Sequence, residues 1–171
     1  MQSKIRNKNF NREVDMYKPL LQLFKNIDIT AAEVPFFGKH IDLLFASRTF
    51  RTLYAVEMKL FKWRNAFKQA ALNQVAVQRS YIAVPKSLAM RLYDCERELF
   101  LKYNIGIIAV NKTASIILPS VRNKCFSLRH YRLLKNTLIK VKSKKPKKIG
   151  VIANAISKRS QTLVVLQTRA S

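Results

Sequence analysis

Two acidic residues and a lysine interrupt segments that otherwise have the composition of buried strands. Asp42 lies within the apolar segment 41–45, and Glu57 and Lys59 lie within the segment 54–60. A carboxylate inside an apolar segment is unfavourable unless another group compensates its charge. Because side chains alternate along a strand, Glu57 and Lys59 point to the same face of the second segment. The two segments therefore predict a β-hairpin that carries a polar site.

The register of this hairpin decides whether the two acids meet. With the turn at 47–50, opposed residues have numbers that sum to about 97, so Asp42 faces Ala55 and Glu57 faces His40. Diagonal neighbours on one face lie roughly 7–8 Å apart, so the two carboxylates could bind one cation between them. Hard oxygen ligands favour Mg²⁺ or Mn²⁺. The nearby lysine can orient an attacking water or offset the charge of a phosphate.

A structural ion pair is the alternative interpretation of these residues. Asp42 and Glu57 would then be neutralised by Lys59 or Lys39, and Lys59 would pair or snorkel within the sheet.

Composition restricts the partners of the chain. Its 171 residues suit one domain with a real core, and its net charge is +24. Such a charge favours a polyanion, most readily nucleic acid. An anionic membrane surface is the rival, but no apolar run approaches the ~20 residues that span a bilayer, and no signal peptide is expected. Cys95 and Cys125 are isolated, which is typical of a reducing cytoplasm and argues against a zinc site.

The basic residues are concentrated in the C-terminal third. All nine acids lie at or before Glu98, and none follows. We expect the basic side chains of this part to bind the DNA backbone, although a solvated linker is the alternative interpretation. The residues predicted to contact DNA are Arg129, Arg132, Lys140, Lys142, Lys144, Lys145, Lys147 and Lys148.

Hydrophobic periodicity predicts helices and strands in alternation. The expected order is a helix from residue 12, strands at 29–36, 38–45 and 52–60, a helix at 63–78, a strand at 81–85, a helix at 87–103, and strands at 104–110 and 114–118. This order predicts an α/β fold with a mixed central sheet flanked by helices. We divide the chain into a basic arm (1–10), an α/β core (11–119) and a basic, partly helical C-terminal extension (120–171). Within that extension, helices are expected at 130–139 and 146–156, and residues 163–166 form a strand or an apolar tail.

The polar motifs resemble those of a known superfamily. Asp42, fourteen residues, and then Glu57-Met58-Lys59 on the next strand are similar to the signature of the PD-(D/E)XK nucleases, although Ile41 rather than proline precedes the aspartate. The element order over about residues 11–110 is similar as well. Further motifs resemble an uncharacterised bacterial subgroup of this superfamily: Glu13-x-x-x-Tyr17-x-Pro19-Leu20, Glu33-Val34, Gln69-Ala70 and Tyr81-x-Ala83-Val84-Pro85.

The resemblance implies a restriction-endonuclease-like core and metal-dependent hydrolysis of phosphodiester bonds in DNA. Asp42, Glu57 and the Met58 carbonyl would hold Mg²⁺ or Mn²⁺, and Lys59 would position water. Glu13 would project from the first helix toward the metal, and Gln69 would support the site from the crossover helix. We name the five side chains as the catalytic candidates.

Other functions remain open at this point. The same fold could serve as a non-catalytic nucleic-acid-binding protein, for which binding would not depend on metal. RNA fits less well as a partner, because no module with exposed aromatic residues is evident in the sequence. A homodimer is an open alternative, since many nucleases that cut both strands are symmetric dimers.

Overall fold

A seven-stranded mixed sheet with helices on both faces forms the body of the protein. The computed structural model describes residues 10–27, 29–143 and 164–166. The strands are β1 (Ile29–Phe36), β2 (Lys39–Ala46), β3 (Leu53–Met58), β4 (Arg79–Pro85), β5 (Ile105–Val110), β6 (Ala114–Leu118) and β7 (Val164–Leu166). The helices are a 3₁₀ helix (Glu13–Met16), α1 (Tyr17–Leu23), α2 (Trp63–Asn73), α3 (Lys86–Lys102) and α4 (Leu128–Ser143). The prediction of a mixed α/β fold is confirmed.

The sheet combines an antiparallel meander with parallel crossovers. Its strand order is β6-β5-β4-β3-β2-β1-β7. Strands β1, β2 and β3 pair antiparallel, whereas β3, β4 and β5 pair in parallel through α2 and α3. Strands β6 and β7 are antiparallel to β5 and β1 respectively. The carboxyl end of β3 therefore lies at the same end of the sheet as the turn between β1 and β2.

Apolar side chains of β2 alternate between two cores. Leu43 and Phe45 pack with α1, where the Phe24 ring stacks on Phe45 at 4.3 Å between centroids. Leu44 and Ala46 face the other side of the sheet, in a cluster with α4. A third cluster beneath α2 and α3 covers β4 and β5 on that second side. Burial on both faces explains why these strands are continuous apolar segments in the sequence.

The alternation reverses phase at one point in the β1–β2 hairpin. Ile29, Ala31, Val34 and Phe36 lie in one cluster on the same face of the sheet. In a regular strand, the face that carries Ile29 and Ala31 would carry residues 33 and 35 instead. Strand β2 shows the same reversal between Ile41 and Leu43. The two residues at which the phase changes are Glu33, with a φ of +52°, and Asp42. Two acidic residues thus occupy the irregular part of the hairpin.

Helix α2 is shorter than the sequence predicts. It ends at Asn73, whereas the periodicity extended it to residue 78. The chain leaves the helix because Ala76 and Val77 are buried in the cluster beneath α4, and the Gln78 side-chain oxygen accepts the Leu53 N–H at 2.7 Å. Tertiary contacts therefore outweigh the local preference for helix. Pro19, in contrast, fits the first turn of α1, where no N–H is needed.

Helix α4 packs on the sheet. Leu134 and Leu138 are fully buried in the same cluster as β1 and β2. The predicted helix at 130–139 lies inside α4, whereas the predicted helix at 146–156 lies outside the described residues. The predicted boundary between the core and the C-terminal extension, after residue 119, stays a prediction. Helix α4 of the extension packs on β1 of the core.

Within the described residues, no helix is long and apolar enough to cross a membrane. Cys95 and Cys125 are both free and exposed.

Candidate functional site

Strands β2 and β3 separate at the point where Asp42 lies. Their pairing ends at Leu43 opposite Val56, and beyond it the Met58 N–H donates to Asp42 Oδ2 at 2.6 Å. A side-chain carboxylate thus replaces the backbone carbonyl that would continue the ladder. This geometry fixes the position of the Asp42 side chain at the fork between the two strands.

The predicted register of this hairpin was wrong by two residues. Ala55 lies opposite Leu44 rather than Asp42. His40 is exposed, and it does not pair with Glu57 because the pairing of β2 with β3 ends at Leu43. An error of two residues preserves the face of each side chain, whereas an error of one would have inverted it. The expectation that the two acids lie near each other therefore did not depend on the exact offset.

The Met58 peptide groups point toward the fork. The Lys59 N–H donates to the Ala83 carbonyl of β4 at 3.1 Å. Because a trans peptide is planar, the Met58 carbonyl on the same peptide points the opposite way, toward β2. The Met58 N–H points to that side as well, since it donates to Asp42. The Met58 carbonyl oxygen is therefore directed to the side of β3 where Asp42 lies, as a metal ligand at this position requires.

Glu57 is a buried carboxylate with only one of its oxygens satisfied. Its residue is 1% exposed, and Asn73 of α2 donates to Oε1 at 2.6 Å. Oε2 is buried and has no hydrogen-bond partner among the described residues. Burial, together with the Asp42 charge, raises the pKa of Glu57 to about 9, against the opposing effects of Asn73 and Lys59. Ionised Glu57 therefore lacks a compensating group on one oxygen.

Asp42 has a raised pKa for a related reason. Burial raises it to about 7, while the Met58 N–H and the Lys59 charge oppose that rise. The charges of Glu33 and Glu13 add to it. Two carboxyls whose titrations interact take up and release protons as a pair. At neutral pH the pair therefore carries less than its full negative charge until a cation compensates it.

Lys59 forms an ion pair with Glu13. Its Nζ lies 2.7 Å from Glu13 Oε2, on the 3₁₀ helix that precedes α1. Burial alone would lower the pKa of Lys59, but the Glu13 hydrogen bond and the charges of Asp42, Glu13 and Glu57 raise it. The ammonium group therefore stays charged, and Glu13 reaches the site through this lysine.

Tyr17 connects α1 with the irregular part of the hairpin. Its hydroxyl donates to Glu33 Oε1 at 3.0 Å and to the Asp42 carbonyl at 3.4 Å. Burial and the charges of Glu33 and Asp42 raise the pKa of Tyr17 well above its usual range. The neutral hydroxyl is therefore a permanent donor that holds the two strands where their phase changes.

The amide that contacts Glu57 belongs to Asn73, four residues after Gln69. Gln69 is half-buried on α2, and the structure puts Asn73 in the place for which the sequence analysis chose Gln69. Both residues lie on one face of the helix because of their i, i+4 spacing. That spacing was the only signal for Asn73 in the sequence, and it did not distinguish the two amides.

The predicted DNA contacts are only partly described. Arg129, Arg132 and Lys140 lie on α4 and are exposed. Lys142 lies in the last turn of α4, and its side chain is outside the described set. The remaining four lysines lie outside the described residues: Lys144, Lys145, Lys147 and Lys148.

A cation at this site would have few protein ligands. Within the described residues, no three His, Cys, Asp or Glu side chains are grouped so as to hold a metal ion. Asp42, Glu57 and the Met58 carbonyl form a smaller set. Mg²⁺ commonly binds through one or two carboxylates and completes its shell with waters and phosphate oxygens. The donor set of this site fits such an ion, and the unsatisfied Glu57 Oε2 is a ready ligand.

Comparisons with known proteins give the fold alone. No protein-family model matches the chain, and no curated protein matches it. Among solved structures, the chain is similar to the SPO1766 protein of unknown function from Silicibacter pomeroyi, with a TM-score of 0.55 and 13% identity. The alignment covers 86% of this chain and 92% of that chain.

Proposed function

We propose that this protein is a metal-dependent endonuclease that hydrolyses phosphodiester bonds in DNA, with a restriction-endonuclease-like core of the PD-(D/E)XK superfamily. The observation that carries this proposal is the buried Glu57 Oε2, which has no hydrogen-bond partner among the described residues and lies close enough to Asp42 for the charge of that second carboxylate to raise the pKa of Glu57. An ionised carboxylate in such a place is destabilising unless a cation or a proton neutralises it. Two carboxylates can hold a divalent ion for hydrolysis of a phosphodiester, and a nearby ammonium group can act on the substrate beside it.

Asp42, Glu57 and the Met58 carbonyl would hold Mg²⁺ or Mn²⁺. When bound, the ion supplies Lewis-acid polarisation of a phosphoryl oxygen and neutralises developing charge. The Met58 N–H orients Asp42, and Asn73 orients Glu57 by occupying its other oxygen. These two hydrogen bonds keep both carboxylates in place before substrate arrives, which reduces the reorganisation that the reaction requires.

Lys59 is the residue that would act on the substrate directly. Its ammonium group would orient a water molecule or stabilise negative charge on the phosphate. Glu13 holds it by a half-exposed ion pair, with side-chain exposures of 24% for Lys59 and 40% for Glu13. Because this pair is accessible from solvent, a phosphate group can approach the same ammonium. Glu13 is then a positioning residue for Lys59.

The basic surface would supply affinity for the DNA backbone. Lys and Arg number 33 against nine acids, and α4 carries exposed Arg129 and Arg132 on the side away from its buried leucines. Contacts of this kind bind phosphates without regard to sequence and weaken steeply with salt.

A cleavage assay tests the proposal. Purified protein is incubated with linear duplex, supercoiled, branched and single-stranded DNA in the presence of Mg²⁺, Mn²⁺ or a chelator. We expect metal-dependent cutting of at least one substrate, lost in Glu57→Gln and Lys59→Ala with DNA binding retained. Glu96→Gln is the matched control, because Glu96 lies outside the candidate site and makes an exposed ion pair with Arg64.

The opposite result identifies a different function. If no substrate is cut with either metal, while DNA binding is tight, dependent on salt and indifferent to Glu57→Gln, the protein is a non-catalytic nucleic-acid-binding protein and the nuclease proposal is wrong.

A further inference from the structure

Two exposed phenylalanines lie at the end of the sheet that carries the candidate site. Phe61 is 61% exposed, the largest fraction for any large hydrophobic side chain that the structure describes, and Phe37 is 51% exposed. Phe37 lies in the turn from β1 to β2, and Phe61 follows the carboxyl end of β3. Since β2 and β3 are antiparallel, both residues extend beyond the same edge of the sheet.

Each phenylalanine is close in sequence to a residue of the site. Phe37 precedes Asp42 by five residues, and Phe61 follows Glu57 by four. At ~3.3 Å per extended residue, these separations are at most about 17 Å and about 13 Å. In the strand order, the fork between β2 and β3 lies between the β1–β2 turn, which carries Phe37, and the end of β3, which precedes Phe61. A short stretch of nucleic acid can span these separations.

Phe37 occupies a turn position for which phenylalanine is a poor choice. Phe36 pairs with Lys39, so the hairpin has a two-residue loop, and both loop residues have positive φ: 48° for Phe37 and 71° for Gly38. Such turns favour Asn or Asp before Gly, because residues with a larger side chain are strained at positive φ. The Phe37 ring packs against the Phe36 ring at 4.5 Å between centroids and against His130, yet half of the side chain stays exposed. Strain at an exposed aromatic residue indicates a functional reason for the ring.

The rings are surrounded by positive charge. Lys39 follows the Phe37 turn, and Lys62 follows Phe61; both are exposed. The Phe37 ring lies 4.9 Å from the His130 ring, next to exposed Arg129 at the start of α4. An apolar protein partner would leave these cations without counter-charges. Phosphates beside unstacked bases satisfy both the cations and the rings.

We infer that Phe37 and Phe61 stack on unpaired bases on either side of the scissile phosphate, so that the substrate is DNA with a single-stranded segment rather than intact duplex. Base faces are inaccessible within a stacked duplex, whereas aromatic side chains bind them readily in single strands. The inference rests on the proposed nuclease function for the position of the substrate. Stacking itself requires neither metal nor hydrolysis.

Binding measurements with an inactive protein test this inference. The full chain carrying Glu57→Gln is titrated, in a chelating buffer, into a fluorescent single-stranded oligonucleotide and into a duplex of the same length. Phe61→Leu keeps the apolar character of the side chain and removes the π-face, whereas Phe61→Trp keeps both. Phe37→Asn places the favoured residue in the turn but removes the contacts of the ring with Phe36 and His130, so the melting temperature of this variant is measured as well, to show that the fold is kept. Tyr103→Leu is the control, because Tyr103 is 45% exposed at the opposite end of the sheet.

We expect Phe61→Leu and Phe37→Asn each to weaken single-strand binding by about 5- to 100-fold. Phe61→Trp and Tyr103→Leu should bind as the parent does, and duplex binding should be weaker and unchanged by all four. Single-strand binding that is unaffected by both Phe61→Leu and Phe37→Asn would overturn the inference. Equal losses for single strands and duplex would overturn it too. If binding behaves as expected but no DNA is cut with metal, the nuclease proposal is wrong while the stacking inference stands.

Discussion

Replacing Glu57 with glutamine should stabilise the metal-free protein at alkaline pH, although the substitution alters the proposed active site. Burial and the Asp42 charge raise the pKa of Glu57 from 4.5 to about 9. The folded protein therefore holds a proton that the unfolded chain releases in this interval. Stability is full below about pH 4.5 and falls as the pH rises toward about 9.

The magnitude follows from the width of that interval. Between about pH 5 and about pH 8, at ~1.4 kcal/mol per pH unit, the loss is at most about 4 kcal/mol. Local relaxation and sharing of protons with Asp42 reduce it, and we expect about 2 to 3 kcal/mol. The Glu57→Gln side chain cannot ionise, and its oxygen can still accept the Asn73 N–H. The variant should therefore lose less stability than the wild type over the same pH range, and the loss that remains comes from Asp42, whose pKa burial raises to about 7.

Thermal unfolding followed by circular dichroism checks this expectation. In a chelating buffer, the melting temperature of the wild type should fall by about 5 to 10 °C between about pH 5 and about pH 8. Mg²⁺ should restore it at the higher pH in the wild type and not in Glu57→Gln. Glu96→Gln, at an exposed ion pair, should follow the wild type. Parallel pH profiles for the wild type and Glu57→Gln would refute the reasoning, because Glu57 would then not be the group that titrates.

Three further substitutions test separate parts of the structure. Glu13→Gln removes the ion pair that holds Lys59 and should lower kcat about 10-fold with little change in KM. Steady-state cleavage rates measure both constants, and an unchanged kcat would contradict the positioning role of Glu13. Gly106→Ala places a Cβ against the Tyr81 ring and against the backbone carbonyl of Leu118, and should destabilise the fold by about 1 to 3 kcal/mol in urea unfolding. Wild-type stability would show that both neighbours shift at little cost. Arg132→Ala should reduce the slope of the logarithm of the DNA-binding constant against the logarithm of salt concentration by about 1, without changing the melting temperature. An unaltered slope would exclude a contact between Arg132 and a phosphate.

The sequence predicted the elements of the site better than its details. Strands β2 and β3 were predictable because each is a continuous apolar segment around one polar position. The face of Glu57 was predictable as well, since the two-residue error in register preserved it. The helical amide was assigned one turn too early, because Gln69 and Asn73 share a face and only packing selects between them.

The phase reversal at Glu33 and Asp42 was not predictable from the sequence. Alternation assumes that each strand keeps one phase along its length, and the positive φ of Glu33 breaks that assumption. The bond from Tyr17 that spans the reversal is a contact between residues far apart in the chain. Local patterns contain no information on such a contact. Tyr17 and Glu33 therefore appeared in the sequence only as parts of two separate motifs of the resemblance, with no indication that their side chains meet.

The arrangement of charges argues against a purely structural role for the two acids. In a structural ion pair, the ammonium group of Lys59 or Lys39 would contact the carboxylates of Asp42 and Glu57. Lys39 is exposed, and the Lys59 ammonium is bonded to Glu13 rather than to Glu57, so Glu57 Oε2 lacks a partner among the described residues. Glutamine at position 57 would keep an acceptor for Asn73 and remove the buried charge, which is generally stabilising. A residue that lowers stability, surrounded by hydrogen bonds that orient it, is typical of functional sites, and this favours a cation-binding role for Glu57.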